Sequence, residues 1–207
     1  AAGKRYAFGR QAGVARWNLQ KLAQSLVAVA PSQNALIDGL AHFDTVYNQQ
    51  LQATLAVKLG FLDWRAGDDD LVNDLFAWMQ RLNVDYTEFF RGLADASLDS
   101  IRSAFYDEQL IDNTVTDWLD QYRARIDVQN PTRRERMNAA NPRFILRNYL
   151  AQLAIDDAER GDLGKLHELQ AVLQNPYDDQ PMYQHLYAKR PDWAQHKAGC
   201  SMLSCSS

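Results

Sequence analysis

Cysteine is nearly absent from this 207-residue sequence, and both copies, Cys200 and Cys205, fall in the last eight residues. No disulfide framework can therefore cross-link the body of the chain, which must be stabilised by packing. Positive charge is also in deficit, because 22 Lys and Arg stand against 26 Asp and Glu, giving a formal net charge of −4. Without a basic surplus there is no overall field to attract nucleic acid, and we predict no nucleic-acid partner.

Long apolar runs are missing as well. The run at residues 26–30 falls far short of the roughly 20 apolar residues that cross a bilayer. Residues 1–11 lack the apolar centre of a signal peptide. We therefore predict no membrane partner and a cytoplasmic location.

Several signatures of chemistry are absent too: a Gly-rich phosphate loop, H-E-x-x-H and paired C-x-x-C units. The four histidines are scattered, and only His185 and His196 lie near each other, so we predict structural or surface roles and no metal site. The run Asp68-Asp69-Asp70 offers oxygen ligands for a hard cation. We favour the other interpretation, an acidic first turn that complements a helix dipole.

Helical periodicity dominates what remains, strand patterns are nearly absent, and there is no internal repeat or Gly/Ser linker. The sequence predicts an all-α fold, an irregular helical bundle forming one domain over residues 1–207, with a loop at 1–12 and a flexible Cys-containing tail at 195–207. Asp85 with Glu88 three residues later resembles a capping box. The predicted helices cover residues 13–31, 32–60, 68–82, 85–93, 97–106, 113–126, 142–160 and 163–173, and residues 132–140 are a short polar stretch before the helix at 142–160.

The helix predicted at 142–160 has clear boundary signals. Asn141 can cap it, Pro142 suits its first position, and Gly161 can adopt the left-handed conformation that ends a helix. On such a helix Arg143 and Arg147 would share one face.

One basic concentration stands out, and its arginines could clamp a phosphate or carboxylate bidentately. Nearby acids such as Glu135 and Asp156 can pair with them instead, and we favour that structural role. The arginines are Arg133, Arg134, Arg136, Arg143 and Arg147.

The wording of residues 141–162, N-P-x-x-I-L-R-N-Y-x-A-Q-x-A-I and then A-x-x-G-D, resembles the selenoprotein O family, the YdiU-type protein adenylyltransferases. Further matches follow in order along the chain. They are Arg5-Tyr6-Ala7-Phe8-Gly9, Trp17-Asn18-Leu19, Lys58-Leu59-Gly60, Asp85-Tyr86-Thr87, Phe89-Phe90-Arg91, Trp118 with Tyr122-Arg123-Ala124-Arg125, Asn175-Pro176-Tyr177, Pro191-Asp192-Trp193-Ala194 and Ser204-Cys205-Ser206-Ser207.

The resemblance implies the C-terminal part of a protein with a kinase-like fold, which transfers AMP from ATP, with magnesium, to Ser, Thr or Tyr hydroxyls of protein substrates. It places the catalytic, ATP-binding and metal-binding residues in an N-terminal kinase-like lobe upstream of this chain. We therefore expect none of those residues here and no activity from the chain alone. A eukaryotic parent would imply a mitochondrial location, and a bacterial one a cytoplasmic location.

The resemblance also implies a redox role for the C-terminal tail, where Cys205 matches the family's C-S-S ending and Cys200 has no clear counterpart. Both thiols lie among small residues near the chain end, where we expect them to be mobile and accessible. The alternative is a pair of inert tail thiols. A different hypothesis for the whole chain is a non-catalytic helical interaction module whose exposed apolar face binds a protein partner or a second copy.

Overall fold

The computed structural model describes residues 8–197 and Cys200, and these residues divide into two compact units, the first ending at Thr54 and the second beginning at Leu55. Across the described residues the regular structure is helical, with a single antiparallel bridge between Val84 and Phe105. The all-α prediction is therefore confirmed for this part of the chain.

The α-helices of the described residues are α1 (Gln11–Leu26), α2 (Gln33–Leu59), α3 (Asp68–Arg81), α4 (Tyr86–Gly92), α5 (Leu98–Arg102), α6 (Asn113–Arg125), α7 (Arg133–Ala140), α8 (Asn148–Ala158) and α9 (Gly164–Leu173). Short 3-10 helices span Phe8–Arg10, Leu93–Asp95, Glu108–Leu110, Pro181–Leu186 and Asp192–Gln195. None of the helices in the described part of the chain is both long and apolar enough to cross a membrane.

The first unit contains α1 and most of α2. The Nε of Arg16 on α1 lies 2.8 Å from the Asp44 carboxylate on α2, so an ion pair links the two helices. No residue of α1 is buried. Where the sequence predicted a loop over 1–12, a 3-10 helix occupies Phe8–Arg10 and α1 begins at Gln11, while residues 1–7 lie outside the described part.

The main core of the second unit is aromatic. Trp78 on α3 packs edge-on against Phe89 and Trp118, with ring centroids 5.3 and 5.6 Å apart. The indole N–H of Trp118 donates to the Leu71 carbonyl (2.8 Å), and the Tyr122 hydroxyl donates to the Leu59 carbonyl (2.8 Å). These buried polar groups are satisfied by backbone carbonyls, which lets the bulky α6 side chains pack against α2 and α3.

A second core cluster joins α8 and α9 to the segments that follow them. Its buried members are Phe144, Tyr149, Leu150, Ala154, Leu169, Val172, Leu186, Ala194 and Cys200.

Several predicted boundaries are confirmed. Gly60 follows α2 with φ +75°, and Gly161 follows α8 with φ +88°, both in the left-handed region. Asp85 caps α4, because its carboxylate accepts the Glu88 N–H at 3.0 Å. The acidic run begins α3 at Asp68.

The start of the helix predicted at 142–160 is wrong. Helix α8 begins at Asn148, and Asn141 instead ends α7, where its side-chain amide donates to the carbonyls of Lys58 and Met137 (both 2.9 Å). The N–H groups of Arg143 and Phe144 both donate to the Pro176 carbonyl, at 2.8 and 3.0 Å. These long-range contacts hold the backbone of Arg143 and Phe144 outside a helix, so Arg143 and Arg147 do not share a helix face.

Candidate functional site

A surface groove of about 390 Å³ in the second unit brings together segments that are distant in sequence. We call it the junction groove. It is lined by Asn83, Val84, Asp85, Tyr86, Tyr106, Ile145, Leu146, Arg147, Asn148, Tyr149, Arg190 and Cys200. Two of the segments singled out by their wording, 85–87 and 141–155, therefore meet at one place.

A buried ion pair forms the centre of the junction groove. Arg147 donates through both terminal nitrogens to the two carboxylate oxygens of Asp85, at 2.5 and 3.0 Å, and the side chains are 11% and 5% exposed. Burial lowers the pKa of Arg147, but the hydrogen bonds and charge of Asp85 outweigh burial and raise it. The Asp85 carboxylate, which also accepts the Glu88 N–H, makes three hydrogen bonds and acts as a structural link between α4 and the start of α8.

Glu88 is a second buried carboxyl group beside this pair. Its burial raises the pKa, and the Asp85 charge raises it further, while Lys189 and Arg147 oppose the shift. Lys189 donates to the Phe105 carbonyl (2.5 Å), which brings the segment after α9 to this place. Two acids and two cations thus lie close enough for the charges of Asp85, Lys189 and Arg147 to affect the protonation of Glu88.

Cys200 lies at the edge of the junction groove with an unpaired thiol. Its side chain is only 4% exposed and belongs to the second core cluster, whereas the sequence predicted a mobile, accessible thiol. The physical reason is that a cysteine side chain behaves as a small hydrophobe and fills space in an apolar cluster. Cys205 lies outside the described residues, and the redox role of both cysteines stays a prediction.

The structure separates the arginine concentration into different contacts. Arg134 pairs with Asp95 at 2.9 Å, and Arg143 pairs with Asp179 at 3.1 Å while stacking over the Tyr187 ring. With Arg147 held by Asp85, three of the five arginines have carboxylate partners, as the structural interpretation expects. Arg133 and Arg136 have no carboxylate partner among the residues that the structure describes.

Potential metal ligands are also separated. The described residues contain no group of three or more His, Cys, Asp or Glu side chains placed to hold a metal ion. His185 lies 3.0 Å from the Glu168 carboxylate, and Asp68 is bound by Arg125 at 2.7 Å.

Sequence reasoning missed the Asp85–Arg147 pair. The sequence predicts a helix cap at Asp85, and for Arg147 a position on a helix face within the arginine concentration, although both lie in segments with family-like wording. The two residues are 62 positions apart, and no local periodicity reports a contact at that separation.

Comparison with known proteins decides the family. The model of the family described as protein adenylyltransferase SelO matches residues 2–174 of this chain. The chain belongs to the SelO family. The match includes the Asp85 and Arg147 sides of the junction groove, while Arg190 and Cys200 lie beyond it.

Similar SelO-family sequences carry the name protein nucleotidyltransferase YdiU. The protein from Methylobacillus flagellatus is 48% identical over 218 aligned residues, and those from Aromatoleum aromaticum and Tolumonas auensis are each 45% identical. Each alignment covers 100% of this chain but 42% of the relative. The chain thus spans less than half the length of these relatives.

Proposed function

We propose that this chain is the helical C-terminal part of a protein adenylyltransferase with a kinase-like fold. In the proposed reaction a Ser, Thr or Tyr hydroxyl oxygen of a protein substrate attacks the α-phosphorus of ATP, pyrophosphate leaves, and the hydroxyl proton is lost. The observation that carries the proposal is the family match over residues 2–174, together with relatives named nucleotidyltransferases.

In this proposal the chain supports the catalytic part of the protein and supplies no reacting group. The described residues contain no group of three or more His, Cys, Asp or Glu side chains placed to hold a metal ion, so we assign none of them to magnesium. We assign none to ATP either, as the family resemblance implies. We place both sites in the part of the relatives that this chain does not cover, which is more than half of their length. The junction groove would hold α4, α8 and the segment around Arg190 in register as a support for that part.

The exposed face of the first unit agrees with a supporting role. Leu19, Leu22 and Leu26 recur at helical spacing on α1, and each is more than a third exposed. On α2 Ile37 is 56% exposed and Leu51 is exposed as well. Apolar side chains in such a series favour a surface that another protein segment covers.

Calorimetry tests where nucleotide binds. ATP with magnesium is titrated into this chain and, separately, into a protein extended by the remaining part of the relatives' length. We expect binding and AMP labelling of a protein substrate only with the extended protein. Labelling by the 207-residue chain above a no-enzyme control would contradict the proposal.

The same leucine series supports the second candidate, a non-catalytic interaction module. The two proposals differ in what covers α1: the rest of the same protein, or a separate partner. Light scattering, which reports oligomeric state, and thermal unfolding, which reports stability, distinguish them with the variant Leu22→Glu. Leu62→Glu is the matched surface control, since Leu62 is also exposed but lies in the second unit. If the extended protein is monomeric and Leu22→Glu alone weakens its stability, the face is internal. If the extended protein self-associates through this face, the interaction module is favoured.

A further inference from the structure

A cleft separate from the junction groove is lined by four arginines. It encloses about 270 Å³ between the end of α2, the end of α6 and helix α7. We call it the arginine cleft. Its arginines are Arg65, Arg125, Arg133 and Arg136, and its one acidic lining residue is Asp127.

Two of these guanidinium groups are already neutralised. Arg125 donates to both oxygens of the buried Asp68 carboxylate, at 2.7 and 2.8 Å, and also reaches Asp63. Arg65 pairs with Asp63 at 2.9 Å. On this side of the cleft the carboxylates already balance both guanidinium charges, so no anionic ligand is needed there.

The α7 side of the arginine cleft is different. Arg133 is only 4% exposed, yet its terminal nitrogens meet neutral acceptors, the Ala94 carbonyl at 2.7 Å and the Tyr122 hydroxyl at 3.4 Å. Its Nε is buried without a hydrogen-bond partner. A buried cation with no counter-charge is costly, because desolvation is not offset by an ion pair.

Arg136 adds a second uncompensated charge one turn further along α7. It forms no ion pair within the described residues, and its Nε is also buried and unpartnered. Asp127, the acid of the lining, accepts the Gln129 N–H at 3.1 Å and forms no ion pair with either arginine. The α7 side therefore carries two positive charges that have no carboxylate partner within residues 8–197.

We propose that the arginine cleft binds a small phosphate anion, free or as a monoester, through Arg133 and Arg136. Guanidinium groups present forked donors that match phosphate oxygens, and a doubly negative ligand would offset both charges. The volume limits the ligand, because sites for drug-sized molecules occupy about 300–1,000 Å³. Inorganic phosphate or a compact monoester fits that limit better than a dinucleotide does. The site is independent of where ATP binds in the proposed reaction.

Titration calorimetry of the 207-residue chain tests the cleft. Sodium phosphate is compared with sodium chloride at matched ionic strength. AMP is titrated separately as the phosphate monoester, and pyrophosphate as a longer inorganic anion. We expect saturable binding of inorganic phosphate at one site. No saturable heat from phosphate, AMP or pyrophosphate up to about 10 mM would overturn the proposal.

Matched variants on α7 locate the site. Arg136→Gln should weaken phosphate binding tenfold or more, whereas Arg134→Gln removes the same charge from the same helix, outside the cleft, and should change affinity less than about twofold. Arg136→Lys keeps the charge without the fork and should bind with intermediate affinity. Circular dichroism verifies that each variant is folded. Equal weakening by Arg134→Gln and Arg136→Gln would show only general electrostatic attraction and would reject the site.

Discussion

Removing Arg147 should destabilise the second unit more than removing any surface arginine. Arg147→Met leaves the Asp85 carboxylate buried beside Glu88, with no cation in direct contact. Breaking a buried pair in this way typically costs about 3–5 kcal/mol, because the remaining charge stays desolvated. Domains have free energies of unfolding of about 5–15 kcal/mol, so this one change would consume a large share of the stability.

The partner substitution should cost less. Asparagine at position 85 still caps α4, since Asn and Asp cap helices about equally well. Arg147 would also keep an acid nearby, because Glu88 already interacts with its charge. We therefore expect Asp85→Asn to cost less than Arg147→Met, and the double variant to cost less than the sum of the two, with a coupling energy of about 1–3 kcal/mol.

Denaturant unfolding followed by tryptophan fluorescence measures these free energies. All the tryptophans except Trp17 lie in the second unit, so the signal reports mainly on the part of the chain that contains the pair. Arg81→Met is the matched control, because Arg81 pairs with Asp112 on the surface and should contribute less than about 1 kcal/mol. A loss below about 1 kcal/mol for Arg147→Met, or the same loss as for Arg81→Met, would refute the reasoning.

Two further predictions concern single substitutions at Gly92, Gly39 and Glu88. A Cβ added at Gly92 would lie 2.1 Å from the Ser100 carbonyl oxygen, so Gly92→Ala should destabilise the protein by about 1–3 kcal/mol. Gly39 on α2 has open space around it, so Gly39→Ala should stabilise the protein by about 0.5–1 kcal/mol. Thermal unfolding that ranks the two variants the other way would contradict this prediction. Burial and a neighbouring carboxylate raise the pKa of Glu88 above its ordinary value of about 4.3, so its contribution to stability is present below that value and is lost as pH rises through the raised pKa. Glu88→Gln should therefore gain stability relative to the original chain as pH rises above the ordinary pKa of a glutamate, and parallel stability curves would argue against the shift.

Local signals predicted local structure well. The periodic apolar positions of α2 and the glycine at position 60 define that helix almost to the residue, because spacing and the left-handed conformation are properties of neighbouring residues. The same kind of signal failed at Asn141 and Pro142. There the decisive contacts are made with Lys58 and Pro176, and a single sequence without periodic clues does not report such distances.

The sequence indicated which segments contribute to the candidate site, but it did not predict which of their residues contact each other. The family resemblance selected the segments that contain Asp85 and Arg147, but their pairing depends on the path of α4 and α8 through the core. Burial of Cys200 was hidden for a related reason. Composition near a chain end favours exposure, while a contact with the second core cluster overrides it.

The segments that carry the SelO resemblance also contact one another. The Lys58 carbonyl accepts the Asn141 amide at 2.9 Å, and the Leu59 carbonyl accepts the Tyr122 hydroxyl at 2.8 Å. At Gly60 an added Cβ would lie 2.8 Å from the sulfur of Met137 on α7. Three separated segments thus meet at the C-terminal end of α2, where a backbone turn and two buried donors must fit together. Packing at this place restricts which residues fit. That restriction is a physical reason for the resemblance to the family in a part of the chain to which we assign no reacting group.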